Sequence, residues 1–218
     1  MKNMACDLCP RACKVDRSAG ERGICGETDR VKVARAALHM WEEPCISGKA
    51  GSGAVFFCGC ALHCVFCQNG NIANGTVGKE ITEERLAEIF LELQEKKANN
   101  INLVTAGQFV PQVVRALRRA KDRGLGIPVV YNTSSYENVD TIKRFEGLVD
   151  IYLPDLKYVD EKLSAKYSHA PDYFVTAQAA IREMVRQTGK PEFAVSGGQR
   201  HIFAEDFNDR CDEVAEIL

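Results

Sequence analysis

Ala54-Val55-Phe56-Phe57-Cys58-Gly59-Cys60-Ala61-Leu62-His63-Cys64-Val65-Phe66-Cys67 is the stretch on which the fold turns. Its first four residues form an apolar run of the length expected of a buried strand, and cysteines follow at once. The same texture repeats downstream. Thr82 is a plausible N-cap, with Ile81 and Leu86 spaced as a hydrophobic staple. Leu86, Ile89, Phe90 and Leu93 then follow at i, i+3, i+4 and i+7, one face of a helix. Ile101 to Val104 is a second strand. Val110, Val113, Val114 and Leu117 repeat the helical spacing, with Pro111 in the first turn. A strand at Ile127–Tyr131, a short helix near Val139–Phe145, a strand at Val149–Leu153 and a helix from Asp172 to Gln187 complete the pattern, with Gly189 as the last stop. Strand and helix alternating through short connections predict a parallel sheet with crossover helices, either doubly wound or a barrel. In both, ligands sit at the carboxyl ends of the strands. The cysteine segment holds such an end. So do Thr105-Ala106-Gly107-Gln108, Asn132-Thr133-Ser134-Ser135 and Asp155-Leu156-Lys157, and the four segments are expected to share one site.

The chain has 218 residues, of which 27% are charged and 45% hydrophobic, values of an ordinary globular protein. A formal charge of −2 gives no basic footprint for nucleic acid. No apolar run approaches the ~18 residues that span a bilayer, and Met1 to Cys6 has no signal-like stretch. No nucleic-acid or membrane partner is therefore expected, and the expected location is the cytoplasm. The ten cysteines are unusual, because nine fall between Cys6 and Cys67. In a secreted chain they would suggest a disulfide framework. In a reducing compartment, metal binding or redox chemistry explains them better, with buried structural thiols as the plain alternative. Cys211, alone near the C-terminus, fits that plain reading.

Cys60, Cys64 and Cys67 have the spacing C-x3-C-x2-C. Three thiolates on a tight loop suit three irons of a [4Fe–4S] cube, the fourth iron being left for substrate. Zinc is the other possibility, with Cys58 or His63 as fourth ligand. His63 reads more naturally as a neighbour of the ligands. His39, His169 and His201 read as surface or core histidines, and Phe56 and Phe57 as core.

The loop resembles that of the radical S-adenosylmethionine (radical SAM) superfamily, and Phe57 to Asn69 is similar to the pyruvate formate-lyase activating enzyme-like branch. Asn102-Leu103-Val104-Thr105, Val130-Tyr131-Asn132-Thr133-Ser134-Ser135-Tyr136 and Tyr152-Leu153-Pro154-Asp155-Leu156-Lys157 extend the likeness, which covers roughly residues 5 to 193. The resemblance implies an α/β fold, a partial parallel (β/α) barrel. It also implies a mechanism: S-adenosylmethionine chelates the open iron, one electron cleaves its sulfonium C–S bond, and the resulting 5′-deoxyadenosyl radical abstracts hydrogen. Cys60, Cys64 and Cys67 would ligate the cluster, and Phe66 would lie against the adenine. Gly107 and Gln108 occupy the place of the superfamily's Gly-Gly-Glu, which reads the methionine amino group; only the glycine is kept. Asn132 and Ser134 would contact the methionyl or ribose portion, and Asp155 and Lys157 the methionyl carboxylate. The implied partners are a low-potential electron donor of the flavodoxin or ferredoxin type and a glycyl-radical enzyme as protein substrate.

Cys6-x2-Cys9-x3-Cys13-x11-Cys25 precedes this region. With its glycines and little hydrophobic periodicity, the segment needs a staple, either zinc or a second iron–sulfur cluster, with a redox or structural dithiol as the alternative. Three parts are expected: a Cys-rich segment over 1–50, the partial barrel over 51–193 and an atypical tail over 194–218. A typical family member continues with at least two more strand–helix units. The tail therefore reads as an altered, truncated or frameshifted terminus, leaving a parallel edge and apolar surface uncovered. Two other functions compete with the enzyme: a non-catalytic iron–sulfur or electron-transfer module, and a zinc-binding interaction domain.

Overall fold

The computed structural model describes residues 5–189 together with the backbone of 193–196 and 199–202. The elements in chain order are β1 (Lys32–His39), α1 (Pro44–Ser47), β2 (Ser52–Phe57), α2 (Gly70–Ala73), β3 (Lys79–Glu80), α3 (Glu83–Glu95), β4 (Ile101–Val104), α4 (Val110–Asp122), β5 (Val129–Thr133), α5 (Val139–Ile142), β6 (Ile151–Pro154), α6 (Glu161–Ser168), α7 (Tyr173–Thr188), β7 (Phe193–Ser196) and β8 (Gln199–Ile202). Six strands form one sheet in the order β3-β1-β2-β4-β5-β6, and β7 and β8 pair separately. β2, β4, β5 and β6 are parallel, while β1 runs antiparallel to both β2 and β3. The result is an α/β fold with a mostly parallel sheet, a partial barrel with two antiparallel strands added at one side.

The alternation of side chains along each strand builds two different faces. Val55, Phe57, Ile101, Leu103, Val129, Tyr131 and Tyr152 are buried in the main core beneath the crossover helices. Leu86, Phe90 and Leu93 of α3, Val113 and Leu117 of α4, and Ala180 and Met184 of α7 cover them. The residues between point to the other, concave face. There Ile46 of α1 packs on Val130, Ile151 and Leu153, closing one end. Register then levels the opposite end. Phe56 pairs with Val104, Val104 with Asn132, and Asn132 with Leu153, so the segments after four parallel strands emerge side by side.

Several expected boundaries shift for local reasons. β5 begins at Val129, after Pro128, which has no N–H to give a ladder but whose carbonyl accepts from Ile101. β1 and α6 do not stand out in the sequence. β1 places Arg35 and His39 beside a cavity on the inner face, and Leu163 of α6 is exposed, so neither shows a simple apolar stripe. The expected boundary near residue 50 falls between the paired strands β1 and β2. β6 is an edge of the six-stranded sheet, yet Ile151, Tyr152 and Leu153 are buried. α1 covers one face of it, and on the other the Tyr152 hydroxyl donates to Gln187 of α7 at 2.6 Å. The expected exposure of apolar surface does not occur at these three residues. Cys211, the His201 side chain and most of the expected tail lie outside the described residues. Among the described residues no helix is long and apolar enough to cross a membrane.

Candidate active site

A cavity of about 690 Å³ opens at the carboxyl ends of the parallel strands. Cys60, Cys64, Phe66 and Cys67 line it from the loop after β2. Val104 and Thr105 join from β4, Asn132 and Ser134 from β5, and Asp155 and Lys157 from the segment after β6. Three thiols, two amide or hydroxyl side chains and an ion pair thus face one space. Its size lies within the usual range for small-molecule sites, ~300–1,000 Å³. Lys157 Nζ lies 2.5 Å from Asp155 Oδ2. Phe66 is 58% exposed and meets Tyr158 edge-on at 6.1 Å, leaving a ring face for a planar ligand.

The cysteine loop is held from several sides. Gln108 is buried, and its amide Nε2 lies 2.7, 3.1 and 2.9 Å from the carbonyls of Cys58, Gly59 and Thr105. It therefore fixes the base of the loop and does not line the cavity. Gly107 also lies outside the cavity lining. A Cβ there would stand 2.7 Å from both carboxylate oxygens of buried Glu137. Burial pushes the Glu137 carboxyl up, opposed by hydroxyls of Thr133 and Tyr131 that donate to it. Cys58 is buried, and its thiol donates to the Val77 carbonyl at 3.1 Å, outside the cavity. His63, at φ +48°, has Nε2 2.9 Å from the Ile24 carbonyl, a hydrogen bond in the tautomer that protonates this nitrogen. Val65 N–H donates to Tyr167 O at 2.9 Å and Cys67 N–H to Cys64 O at 3.0 Å.

The residues that sequence reasoning passed over fall into two groups. Arg35, Trp41 and Glu42, from β1 and the turn after it, line the cavity, and so does His39, which the sequence suggests is a surface or core histidine. His39 packs edge-on against Phe56, and Glu42 accepts from Asn102 at 2.7 Å. Tyr173, which in the sequence is only a residue at a helix start, is the second. Its hydroxyl accepts from Lys157 N–H at 2.9 Å and lies 2.8 and 2.9 Å from the carbonyls of Ser134 and Asp155, tying two lining segments together. Nothing in a single tyrosine at a helix start signals this. An antiparallel strand ahead of the first parallel one was the missing clue for the β1 group.

The four N-terminal cysteines lie behind the loop. Cys9 is within electrostatic range of Cys13 and Cys25, and Cys25 of Cys6 and Cys13. Burial pushes the Cys9 thiol up to about 12 and raises those of Cys25 and Cys60. Among the described residues no three His, Cys, Asp or Glu side chains gather closely enough to hold a single metal ion.

A mostly parallel α/β sheet with three cysteines on the loop after its first parallel strand defines a class. The family model described as the radical SAM superfamily matches residues 54–202, and the chain belongs to that superfamily. An uncharacterized protein of Methanocaldococcus jannaschii is 31% identical over 179 residues, covering 78% of this chain and 50% of that protein. A pyruvate formate-lyase-activating enzyme of Clostridium pasteurianum is 27% identical over 122 residues, covering 53% of this chain and 50% of the enzyme. The aligned regions span about half the length of each relative.

Proposed function

We propose that this chain is an enzyme that cleaves S-adenosylmethionine reductively, of the activating-enzyme type. The observation that supports it is the facing of Cys60, Cys64 and Cys67 with Asn132, Ser134, Asp155 and Lys157 across one 690 Å³ cavity. The donor set fits the cofactors, because soft thiolates suit iron–sulfur and, among the described residues, no fourth cysteine lines the cavity. A [4Fe–4S] cluster with S-adenosylmethionine supplies, when bound, a 5′-deoxyadenosyl radical for hydrogen abstraction.

The chain's own residues bind, orient and exclude water. Cys60, Cys64 and Cys67 hold the cluster. Lys157, paired with Asp155, offers an ammonium to the methionyl carboxylate, a charge-assisted contact. Asn132 and Ser134 offer polar contacts to the methionyl or ribose portion, and Phe66 stacks on the base. Gln108 is a positioning residue for the loop rather than a reader of the amino group, since its amide is engaged by three carbonyls. Leu62, Tyr136, Tyr158 and Tyr173 form an apolar wall behind the cysteines that limits water. The hydrogen donor is proposed to be a glycine of a glycyl-radical enzyme. This rests on the likeness to the Clostridium enzyme. The electron comes from a flavodoxin- or ferredoxin-type donor. Free thiols at Cys58, Cys60, Cys64 and Cys67 suit a reducing cytoplasm.

The test is anaerobic reconstitution, reduction with dithionite and assay of 5′-deoxyadenosine. The wild type is expected to form it and Cys64→Ala to form none. Activity retained in that variant contradicts the assignment. A cluster without cleavage in the wild type favours the non-catalytic module, for which the missing glutamate after Gly107 speaks.

A further inference from the structure

Away from the cavity, residues 5–25 fold into a separate nest of sulfur. A bridge between Ala5 and Asp16 closes the first turn, with Cys6 N–H donating to Val15 O at 2.9 Å and Lys14 N–H to Cys6 O at 3.0 Å. Ala12 and Lys14 take positive φ to make the return. Gly23 comes close to two sulfurs at once. A Cβ there would stand 3.3 Å from Cys13 Sγ and 3.6 Å from Cys25 Sγ, so the two sulfurs lie within about 7 Å of each other. Ile24 N–H donates to Cys13 Sγ at 3.2 Å, and the buried Arg17 guanidinium lies 4.0 Å from Cys6 Sγ. Backbone N–H and guanidinium donors around sulfur are what anionic thiolates require. The spacing argues on the size of the guest. A tetrahedral zinc with bonds of ≈ 2.3 Å draws its sulfurs to about 3.8 Å apart. Among the described residues no three such donors gather closely enough to hold a single metal ion. A cubane spreads its four ligands more widely.

We propose that Cys6, Cys9, Cys13 and Cys25 hold a [4Fe–4S] cluster seated directly behind the Cys60 loop. The contact between the two loops is direct. Cys9 and Cys60 line one small cavity of about 20 Å³, Arg11 Nε donates to Ala61 O at 2.8 Å, and His63 reaches Ile24 O at 2.9 Å. One consequence rests on the radical SAM reading, while the site itself does not. A cluster here is placed to take one electron from an external low-potential reductant and pass one on to the Cys60–Cys64–Cys67 site, with no bond made or broken.

The test is anaerobic reconstitution of the chain with ferrous iron and sulfide, followed by counts of iron, acid-labile sulfide and zinc. The wild type should carry ~8 iron and the triple variant Cys60→Ala/Cys64→Ala/Cys67→Ala ~4, with matching sulfide. A triple variant that is folded by circular dichroism and holds no iron, or zinc without sulfide, overturns the proposal. Should that variant not fold, Cys9→Ser/Cys13→Ser decides. A fall from ~8 to ~4 iron supports the site, and iron unchanged from the wild type overturns it. Failure of the cavity reading looks different: the wild type would not cleave S-adenosylmethionine, while the triple variant would keep its ~4 iron.

Discussion

The Tyr173 hydroxyl sits where the segments after β5 and β6 meet, accepting from Lys157 N–H and facing the carbonyls of Ser134 and Asp155. Its ring is buried between Tyr136, stacked at 6.1 Å, and Tyr158, edge-on at 5.3 Å. Removing the oxygen takes away the acceptor of the part-buried Lys157 N–H, a hydrogen bond worth about 0.5–1.5 kcal/mol. Tyr173→Phe is therefore expected to lower the unfolding free energy from urea denaturation by that amount and to weaken S-adenosylmethionine binding, measured by isothermal titration; unchanged affinity would separate Tyr173 from the site. Gly107 is constrained from the other side, because an added methyl would press on the buried carboxylate of Glu137. Gly107→Ala should cost about 1–3 kcal/mol in the same denaturation experiment, the usual penalty for overpacking. At this scale the sequence is unevenly legible. Cys60, Cys64 and Cys67 stand out because metal ligation constrains residue type and spacing together. Tyr173 and Arg11 do not, because each acts through backbone atoms that any sequence supplies, and Glu137 does not, because its nearby partners Thr133 and Tyr131 give no sign that the carboxylate is buried against Gly107.

α3 and α4 pack side by side over the sheet, and their solvent faces are joined by ion pairs. Arg115 meets Glu83 through two bonds of 2.9 and 2.6 Å, and Glu84 lies between Arg119 and Arg123 at 2.9 and 2.6 Å. The Arg115 guanidinium holds the Glu83 carboxyl below its ordinary range. A lowered folded value means that the pair stabilises above the usual glutamate pKa and is lost as pH falls through the folded one. The pair is half exposed, so Arg115→Ala should cost only about 0.2–1 kcal/mol at neutral pH. That difference should vanish in acid and shrink in high salt, as followed by thermal unfolding. A constant difference at all pH values would assign the effect to packing instead. The helices that the sequence made plain, α3, α4 and α7, each bury a continuous apolar stripe. β1 escaped notice because its inner residues, Arg35 and His39, serve the cavity rather than a core, and α6 because its apolar Leu163 stays in solvent.

At the largest scale, the described residues form a mostly parallel sheet with helices packed over it and the candidate site at the carboxyl ends of its strands, and the N-terminal segment is fastened beside that site. Arg11 donates to Ala61, Ser168 and His169 carbonyls and lies 5.1 Å over the Tyr136 ring. Arg17, buried, donates to Glu27, Thr28 and Gln108 carbonyls. Asn138 and Thr141 donate to the carbonyls of Asp7 and Leu8. Arg11→Ala should destabilise by on the order of 2–3 kcal/mol and speed hydrogen exchange in both residues 5–16 and the Cys60 loop. Exchange accelerated in residues 5–16 alone would show that the two loops are not coupled. The alternation of strands and helices announced the parallel half of this architecture. The docking of a glycine- and cysteine-rich segment could not be read, since it runs through arginines and backbone carbonyls with no period. The central claim is that three thiolates hold a cluster whose remaining iron meets S-adenosylmethionine. Its most direct test is the electron paramagnetic resonance spectrum of the dithionite-reduced Cys9→Ser/Cys13→Ser protein, recorded before and after S-adenosylmethionine is added. The account predicts a cubane signal whose line shape changes on addition; no signal, or one that stays the same, would contradict it.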